Sequence, residues 1–579
     1  LSIFIYINQN MEKIIMSRNI SMGINMGHDR GAAIVCNGIL LGAIAQERID
    51  RIKHSSSLSI PFEAIDSLLN YLHISINEIS CVGISCTSVD IPNLYQYTKE
   101  MLSEHYHHNF SQVIPVTHHL AHAEACFNTS DFDEAFILVA DGGGDVVGKL
   151  EESESLFHAE GGNIFLLERR LQSNYIHGFT RPQMYNYPFM NLAYKNAQIS
   201  LGKKYGQITA LLGFGPYGAG KTMGLASYGT DLFQVPISKM NSLQFSLGFT
   251  DILETIYNLY KESNISYYNF LSINKENIAH TIQSFTERQT CEIIDYIVNK
   301  YHPQNLCLTG GLFLNCPLNY KIICQHPDIS IHICPSSGDE GQSIGAAYAA
   351  YKVLNSNHAI TPTSKVLPYL GIDYTSDEIE NSIKMYKLNY EVISSTSLAQ
   401  NIANEIYQNK IVGLLHGRSE NGPRALCHRS ILANPCNPCM KDILNICVKH
   451  RETFRPFAPV VTEERQYDIF DIIVDSPYML LSAQVKEPYK QILPAITHID
   501  GSARIQSVNK NSNLLVHNIL TEFEKLSGIP VLLNTSFNDN NEPMVESPND
   551  AISTFLHTNI DVLFMENFKI AKSHTSKGI

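Results

Sequence analysis

Short apolar segments with strand character alternate with helical segments along most of this sequence, and this alternation limits the possible folds more than any other feature. Strands that alternate with helices are typical of α/β domains, in which helices cover the faces of a largely parallel sheet. The sequence therefore predicts an α/β fold. The predicted strands lie at 81–86, 135–140, 306–309 and 330–334, and the predicted helices at 62–72, 121–127, 277–300 and 343–353.

The chain is predicted to open with strands on both sides of a polar loop. The segments ISMGINMG, from residue 20, and AAIVCNGILLGAIA, from residue 32, flank His28 and Asp29. Asn37-Gly38 lies within the second segment and is a residue pair that tight β-hairpin turns favour. We therefore expect the first domain to begin with a β-hairpin, with His28 in a polar loop.

The 579 residues, 44% of them hydrophobic, are enough for at least two domains. Residues 356–365 are polar, contain proline and lack periodicity, as linkers do. We predict an N-terminal domain at 19–355 and a second α/β domain at 366–579. Residues 1–18 are predicted to be a disordered or artefactual arm without function.

Composition excludes several classes of protein. The formal charge of −14 argues against a nucleic-acid partner, because such proteins gather Lys and Arg on one face. No apolar run reaches the roughly 18 residues that a membrane span needs, so we expect none. Thirteen cysteines, odd in number and scattered through apolar segments, indicate reduced thiols. We therefore expect a cytoplasmic protein.

A pair of histidines predicts a metal site. His118 and His122 are four residues apart, so a helix places both imidazoles on one face. Asp141 and Asp339 stand among glycines and are the candidate carboxylate ligands. Two histidines with two aspartates favour Fe(II), Mn(II) or Zn(II) over Ca(II). The alternative is a packed core pair, because short motifs carry false positives.

A double glycine, Gly310-Gly311, directly follows an apolar predicted strand and leads towards Asn315. A strand, glycines and a following helix can hold a phosphate or nucleotide at the helix N-terminus. The alternative is a tight turn without a ligand.

The second predicted domain has a dense cluster of basic residues for an acidic protein. Because guanidinium groups bind phosphate in a bidentate fork, the cluster predicts a compact anion site. The alternative is pairing with surface carboxylates, although such pairs stabilise weakly. Asn534 and Ser536 would complete the site with amide and hydroxyl donors. The basic residues are Arg418, Arg424, Arg429, Lys449, Arg451, Arg455 and Arg504.

Taken together, strings of residues across the chain resemble the O-carbamoyltransferase family, which includes the nodulation-factor, cephamycin and tobramycin carbamoylating enzymes. They occur in family order from about residue 20 to 570, so chance does not account for them. The strings are GHD at 27–29, ERIDRIKH at 47–54, HHLAH at 118–122, GKTMGLASYG at 220–229, GGLFLN at 310–315, GRSENGPRAL at 417–426, FRPFAP at 454–459 and LNTSFN at 533–538.

This resemblance implies an N-terminal actin-like ATPase (ASKHA-type) domain and a C-terminal YrdC-like α/β domain. The C-terminal domain would bind ATP and carbamoyl phosphate and form carbamoyladenylate. The N-terminal domain would then transfer the carbamoyl group, with iron held by His118, His122, Asp141 and Asp339. The nucleotide- and phosphate-binding positions that match the family are Lys53, Gly310, Gly311, Asn315, Arg424, Lys449, Arg455, Arg504, Asn534 and Ser536.

His28 matches the family's candidate for the general base, and the near-neutral intrinsic pKa of histidine suits that task. The alternative is that His28 only hydrogen-bonds the substrate. The expected acceptor is a small metabolite or a glycan with a free hydroxyl, and a homodimer is compatible with the sequence. Residues 145–215 match no family string closely, which fits a variable acceptor.

Two positions depart from the family pattern beside the anion loop. Cys427 stands where glycine is expected, and Asn434 stands where aspartate is usual before proline. We expect the shape of the loop to differ in detail, although its arginines are intact.

Two rival functions stay open at this point. The first is a carbamoyladenylate enzyme that acts on tRNA or on a protein thiol. The acidic charge disfavours tRNA as the acceptor. Relatives that act on a protein thiol carry paired zinc motifs, whereas this sequence has one CxxC, which disfavours a thiol acceptor. The other rival is an inactive nucleotide- and metal-binding regulator. The retained His28 and the complete arginine set argue against it.

Overall fold

The computed structural model describes residues 19–86, 92–148, 150–173, 199–215, 217–232, 235–243, 252–355 and 366–572. The arm predicted at 1–18 and the linker predicted at 356–365 lie outside these residues. Strands of the described residues form three sheets, two from the N-terminal half and one from the C-terminal half. The predicted α/β fold is therefore confirmed.

The first sheet confirms the predicted opening of the chain. Asn37 and Gly38 form the hairpin turn with φ of 49° and 80°, and His28 lies in the loop between the first two strands. The sheet consists of β1 (Ile20–Met26), β2 (Gly31–Cys36), β3 (Ile39–Ala45), β4 (Ile79–Cys86) and β5 (Val113–Pro115). Its order is β3-β2-β1-β4-β5, antiparallel through β1 and parallel beyond it.

The second sheet brings two predicted site segments to one edge. Asp141 follows one strand and Gly310 follows its parallel neighbour, and the carboxyl ends of adjacent parallel strands commonly form ligand sites. The strands are β6 (Glu134–Ala140), β7 (Val146–Val147), β8 (Leu150–Glu160), β9 (Asn163–Ser173), β10 (Asn305–Thr309) and β11 (Ser330–Ile333).

The helices of the N-terminal half include each one predicted there. They are α1 (Gln46–Asp50), α2 (Phe62–Leu72), α3 (Pro92–Tyr106), α4 (His118–Thr129), α5 (Leu201–Leu211), α6 (Ala219–Ala226), α7 (Ile252–Glu262), α8 (Tyr267–Tyr301), α9 (Cys316–Gln325) and α10 (Gln342–Leu354).

Glycines let α10 touch both the first sheet and α4. A Cβ atom on Gly23 of β1 would lie 1.9 Å from the Ser343 carbonyl oxygen, which is too close for any side chain. A Cβ atom on Gly345 would lie 1.7 Å from the Ala121 carbonyl oxygen. The start of α10 is therefore held beside the start of α4, where the predicted metal ligands lie.

The C-terminal half is a nine-stranded mixed sheet with helices, in the order β12-β20-β19-β13-β14-β18-β15-β17-β16. Its strands are β12 (Glu391–Val392), β13 (Val412–Leu415), β14 (Arg429–Ala433), β15 (Ala458–Thr462), β16 (Leu481–Gln484), β17 (Ser502–Val508), β18 (Val531–Ser536), β19 (Val562–Met565) and β20 (Phe568–Ala571). Its helices are α11 (Ser376–Met385), α12 (Leu398–Tyr407), α13 (Met440–Ile443), α14 (Gln466–Ile469), α15 (Glu487–Lys490), α16 (Leu514–Ser527) and α17 (Pro548–His557).

Polar contacts join the two halves. Arg51 in the loop after α1 donates to the carbonyl oxygens of Pro543 and Met544 at 2.9 and 2.6 Å. Asn319 of α9 donates to the Leu480 carbonyl oxygen at 3.0 Å. In the part of the chain that the structure describes, no helix combines the length and hydrophobicity needed to cross a bilayer.

Candidate active site

The four predicted metal ligands lie together. His118 Nε2 is 3.3 Å from Asp141 Oδ2, and His122 Nε2 is 3.3 Å from Asp339 Oδ1. One ligand atom from each of the four residues lies within 4.8 Å of the others. The start of α4, the end of β6 and the turn before α10 supply them, and both imidazoles are fully buried.

Gln342, at the start of α10, contacts this cluster with its amide nitrogen. Its Nε2 lies 2.7 Å from His118 Nδ1, 3.2 Å from His122 Nε2 and 3.1 Å from Asp339 Oδ1. An amide group has only two N–H donors, so the cluster holds more potential acceptors than Gln342 can satisfy. Imidazole and carboxylate donors fit Fe(II), Mn(II) or Zn(II). Sequence reasoning missed Gln342, although it follows Asp339 by three residues.

The charges of the cluster depend on one another. Burial lowers the pKa of His118, but Asp339 and Asp141 override burial and raise it to about 9. Burial raises the pKa of Asp339, yet His118 and the other nearby imidazoles hold it well below its usual range. Without a metal ion, protonated imidazole balances the carboxylates; metal binding would displace that proton.

The double glycine orients one of these carboxylates. The Gly311 backbone N–H donates to Asp141 Oδ1 at 2.8 Å. Gly310 has a φ of 98°, and a Cβ atom there would lie 2.3 Å from the Ala140 carbonyl oxygen. Both glycines therefore have a local role in holding Asp141, whatever ligand the turn binds.

His28 adjoins the cluster of His118, His122, Asp141 and Asp339. Its Nδ1 lies 2.8 Å from Asp29 Oδ2 and 3.6 Å from Asp339 Oδ2. Asn25 Nδ2 donates to the carbonyl oxygens of His28 and Asp339, at 2.9 and 3.0 Å, and so ties the two segments together. Burial lowers the pKa of His28, but the two carboxylates override it and raise the pKa to about 11.

A second feature is a cavity of about 240 Å³ between the two halves. Among the described residues, no carboxylate lies within ion-pair distance of the lysine and arginine side chains that line it, whereas His498 of the lining lies 3.6 Å from Asp500. Burial and the Arg424 guanidinium lower the pKa of Arg504 to about 9, as crowded positive charge does. Such a set favours an anionic ligand. The basic residues are Lys53, Arg424, Arg451, Arg455 and Arg504.

The other predicted residues have different surroundings. Asn534 and Ser536 line the cavity. Lys449 is buried, and its Nζ donates to oxygen atoms of Ser536 and Asn538 at 2.5 to 3.2 Å. Lys449 therefore stabilises the loop that contains Ser536. The Asn315 side chain accepts from the Leu318 backbone N–H at 3.3 Å and caps α9.

The basic cluster of the sequence divides into two groups. Arg429 is fully buried and donates to the carbonyl oxygens of Ile372, His416, Gly417 and Glu546. The Arg418 side chain likewise donates to carbonyl oxygens and lies outside the cavity lining. These two guanidiniums hold loops in place. The sequence expectation that they belong to the anion site is therefore wrong, because backbone oxygens occupy their donors.

The two departures from the family pattern have local explanations. Cys427 has a φ of 75°, a left-handed conformation that glycine adopts without steric cost. This backbone conformation explains why glycine is usual at this position of the family pattern. The Asn434 side-chain oxygen accepts from the Cys436 backbone N–H at 3.0 Å. An aspartate oxygen would accept the same bond, so Asn434 preserves this turn.

A short segment connects the cavity with the metal cluster. Gly311 lies at the cluster, and the Leu314 carbonyl oxygen accepts from Arg424 Nη2 at 2.9 Å. Cys316, two residues further on, lines the cavity. Residues 311–316 therefore run from the cluster to the cavity wall.

Comparisons with known proteins show the family of the chain. Models of the carbamoyltransferase N-terminus and C-terminus match residues 90–348 and 403–572. Nodulation protein NolNO of Sinorhizobium fredii is 31% identical over 95% of this chain and 80% of its own. Nodulation protein NolO of Bradyrhizobium diazoefficiens is 30% identical over 80% of each chain.

Among solved structures, full-length HypF in its phosphate- and nucleotide-bound form superposes with a TM-score of 0.41 at 14% identity. The match covers 59% of this chain and 57% of HypF, little more than half of either. The matched family models and the extended identity with NolNO decide the assignment. This chain belongs to the carbamoyltransferase family.

Proposed function

We propose that this carbamoyltransferase makes carbamoyladenylate from ATP, carbamoyl phosphate and water, releasing pyrophosphate and inorganic phosphate, and then transfers the carbamoyl group to a hydroxyl of a small metabolite or glycan. The observation that carries the proposal is a cavity whose Lys53 and arginine side chains have no carboxylate within ion-pair distance among the described residues, joined by residues 311–316 to a cluster of two histidines and two aspartates. The basic cavity matches the phosphoryl chemistry, and the cluster of histidines and aspartates matches the activated carbonyl group.

The cavity suits the first half of the reaction. ATP, carbamoyl phosphate, pyrophosphate and an acyl adenylate are all anions, and Arg424, Arg455 and Arg504 would bind their phosphate oxygens. Ser536 and Asn534 add a hydroxyl and an amide at the cavity wall. We assign adenylate formation to the C-terminal half, as a YrdC-like domain, with Lys53 reaching in from the N-terminal half.

The metal cluster suits the second half. His118, His122, Asp141 and Asp339 would hold Fe(II), with Mn(II) or Zn(II) as alternatives. Such an ion, when bound, supplies a Lewis acid that polarises a carbonyl or phosphoryl oxygen. A cation held by Asp339 would weaken the effect of that carboxylate on the pKa of His28, which is about 11 without a cation. His28 in its unprotonated form would then take the proton of the acceptor hydroxyl, and AMP would leave with the charge of its phosphate.

The test is to incubate anaerobically iron-loaded protein with ATP and carbamoyl phosphate, without acceptor, and to measure pyrophosphate and the mass of carbamoyl-AMP. We expect both products, each dependent on carbamoyl phosphate. His28→Asn should spare adenylate formation and abolish transfer, and the exposed His557→Asn is the matched control. Nucleotide binding without either product would contradict the proposal and favour the regulator.

A further inference from the structure

Asp29 joins two imidazoles beside the metal cluster. Its Oδ2 lies 2.8 Å from His28 Nδ1, and its Oδ1 lies 3.0 Å from His54 Nδ1. Both carboxylate oxygens therefore have an imidazole partner. The two histidines lie in different segments, so their meeting at one carboxylate depends on the fold.

The rings around Asp29 are packed face to face. The Tyr217 ring stacks on His54 at 4.3 Å between centroids and on His28 at 5.1 Å. The His28 and His54 rings are nearly parallel, with 19° between their planes. Stacking of this kind restricts rotation of each imidazole about its side-chain bonds.

Asp29 and His54 both have a left-handed backbone conformation. Asp29 has a φ of 48° and His54 a φ of 59°, a region that Asp and His adopt more often than most side chains. The His54 backbone N–H donates to Glu47 Oε2 at 2.8 Å, which holds this segment beside Asp29.

We propose that Asp29 is the positioning residue for carbamoyl transfer: it accepts the Nδ1–H of His28 at 2.8 Å and so orients the imidazole with Nε2 towards the acceptor hydroxyl. His54 binds the second oxygen of Asp29 and fixes the orientation of the carboxylate, while Tyr217 limits ring rotation. The inference rests on the proposed function. In the step itself, the hydroxyl proton moves to Nε2, the oxygen bonds to the carbamoyl carbon, and the bond to AMP breaks.

Asp29→Asn tests this directly. An asparagine that turns its NH₂ group to His28 would force the proton onto Nε2, the wrong tautomer for a base. In serine proteases the equivalent exchange lowers kcat about 10⁴-fold. With water as the acceptor probe, we expect AMP release per pyrophosphate to fall about 100-fold or more, while pyrophosphate formation and metal content stay unchanged.

Two measurements separate positioning from a merely structural role. In zinc-loaded protein labelled with ¹⁵N-histidine, the signals that disappear in His28→Asn identify His28, and Asp29→Asn should change their tautomer pattern. His54→Gln, which keeps an N–H donor, should retain more AMP release than His54→Ala.

Unchanged His28 signals together with unchanged AMP release in Asp29→Asn would overturn the inference. Loss of bound zinc in that variant would also overturn it, because Asp29 would then be acting on the metal. If the wild-type protein forms neither pyrophosphate nor AMP, the proposed function fails. The ¹⁵N signals of His28 in Asp29→Asn then test by themselves whether Asp29 sets the His28 tautomer.

Discussion

Arg429 and Arg455 come from one basic region of the sequence, yet their surroundings are opposite. Arg455 lines the cavity and has no carboxylate within ion-pair distance among the described residues. Arg429 is buried, and its donors are occupied by carbonyl oxygens of four other residues. The first guanidinium is available to a ligand, whereas the second stabilises the fold.

Arg455→Ala should weaken binding of pyrophosphate and abolish both adenylate formation and transfer. Loss of one charge-assisted hydrogen-bonding group costs about 1.5–3 kcal/mol, or roughly 10- to 150-fold in Kd. Isothermal titration calorimetry with pyrophosphate measures this, and Arg465→Ala, which pairs with Asp468 and Glu524 and does not line the cavity, is the control. Equal affinities in the two variants would remove Arg455 from the site.

Arg429→Ala should instead unfold more easily, because several buried carbonyl oxygens lose their donor at once. We expect a loss of about 3–5 kcal/mol in the free energy of unfolding. Denaturant titration measures it against the same Arg465→Ala control. A loss under about 1 kcal/mol would show that the loop carbonyls find other partners.

At the scale of secondary structure, β9 and α8 are joined through one carboxylate. Glu168 of β9 accepts from Lys300 Nζ at 2.6 Å and from the Tyr296 hydroxyl at 2.7 Å. Burial raises the pKa of Glu168, but Lys300 and the tyrosine hydroxyls override it and lower the pKa from 4.5 to about 2. The folded state therefore favours the ionised carboxylate.

This shift predicts a pH dependence of stability. The contribution of Glu168 is fully present above about pH 4.5 and is lost as the pH falls towards 2. Glu168→Gln should lose about 1 kcal/mol at pH 7, a value reduced by solvent at the half-exposed Lys300. Urea unfolding at pH 7 and pH 3 tests this, with exposed Glu104→Gln as the control. If Glu168→Gln lost as much unfolding free energy at pH 3 as at pH 7, this prediction would be wrong.

Across the whole molecule, the cluster of two histidines and two aspartates and the cavity are separate features joined by residues 311–316. The cluster lies within the N-terminal half, whereas most of the cavity lining comes from the C-terminal half. The two halves of the reaction should therefore respond differently when one site is disabled.

Removing the metal by chelation should abolish carbamoyl transfer while pyrophosphate still binds the cavity. Adding back Fe(II) or Zn(II) should raise the Tm, because a ligand that binds only the folded state adds about 2.7 kcal/mol at 100 times its Kd. Asp339→Asn should show little of this rise, and His557→Asn should show all of it. A rise of the same size in Asp339→Asn would place the metal elsewhere.

The sequence by itself determined the α/β fold, the hairpin at Asn37-Gly38, the pairing of His118 with His122 on one helix face, and the resemblance to the family. Each of these depends on short-range spacing or on ordered strings, which a chain displays before it folds. The departure at Cys427 was visible too, but its φ was not.

Only the tertiary structure decided which arginines face the cavity and which bind carbonyl oxygens. It also brought Gln342 to His118, 224 residues earlier, and Asn25 to Asp339, 314 residues later. These contacts depend on glycines that let α10 pack closely against both β1 and α4. A hydrophobic period of 2 or 3.6 residues predicts a strand or a helix and carries no information about such distant contacts. Local patterns determine elements, and close packing between elements determines the site.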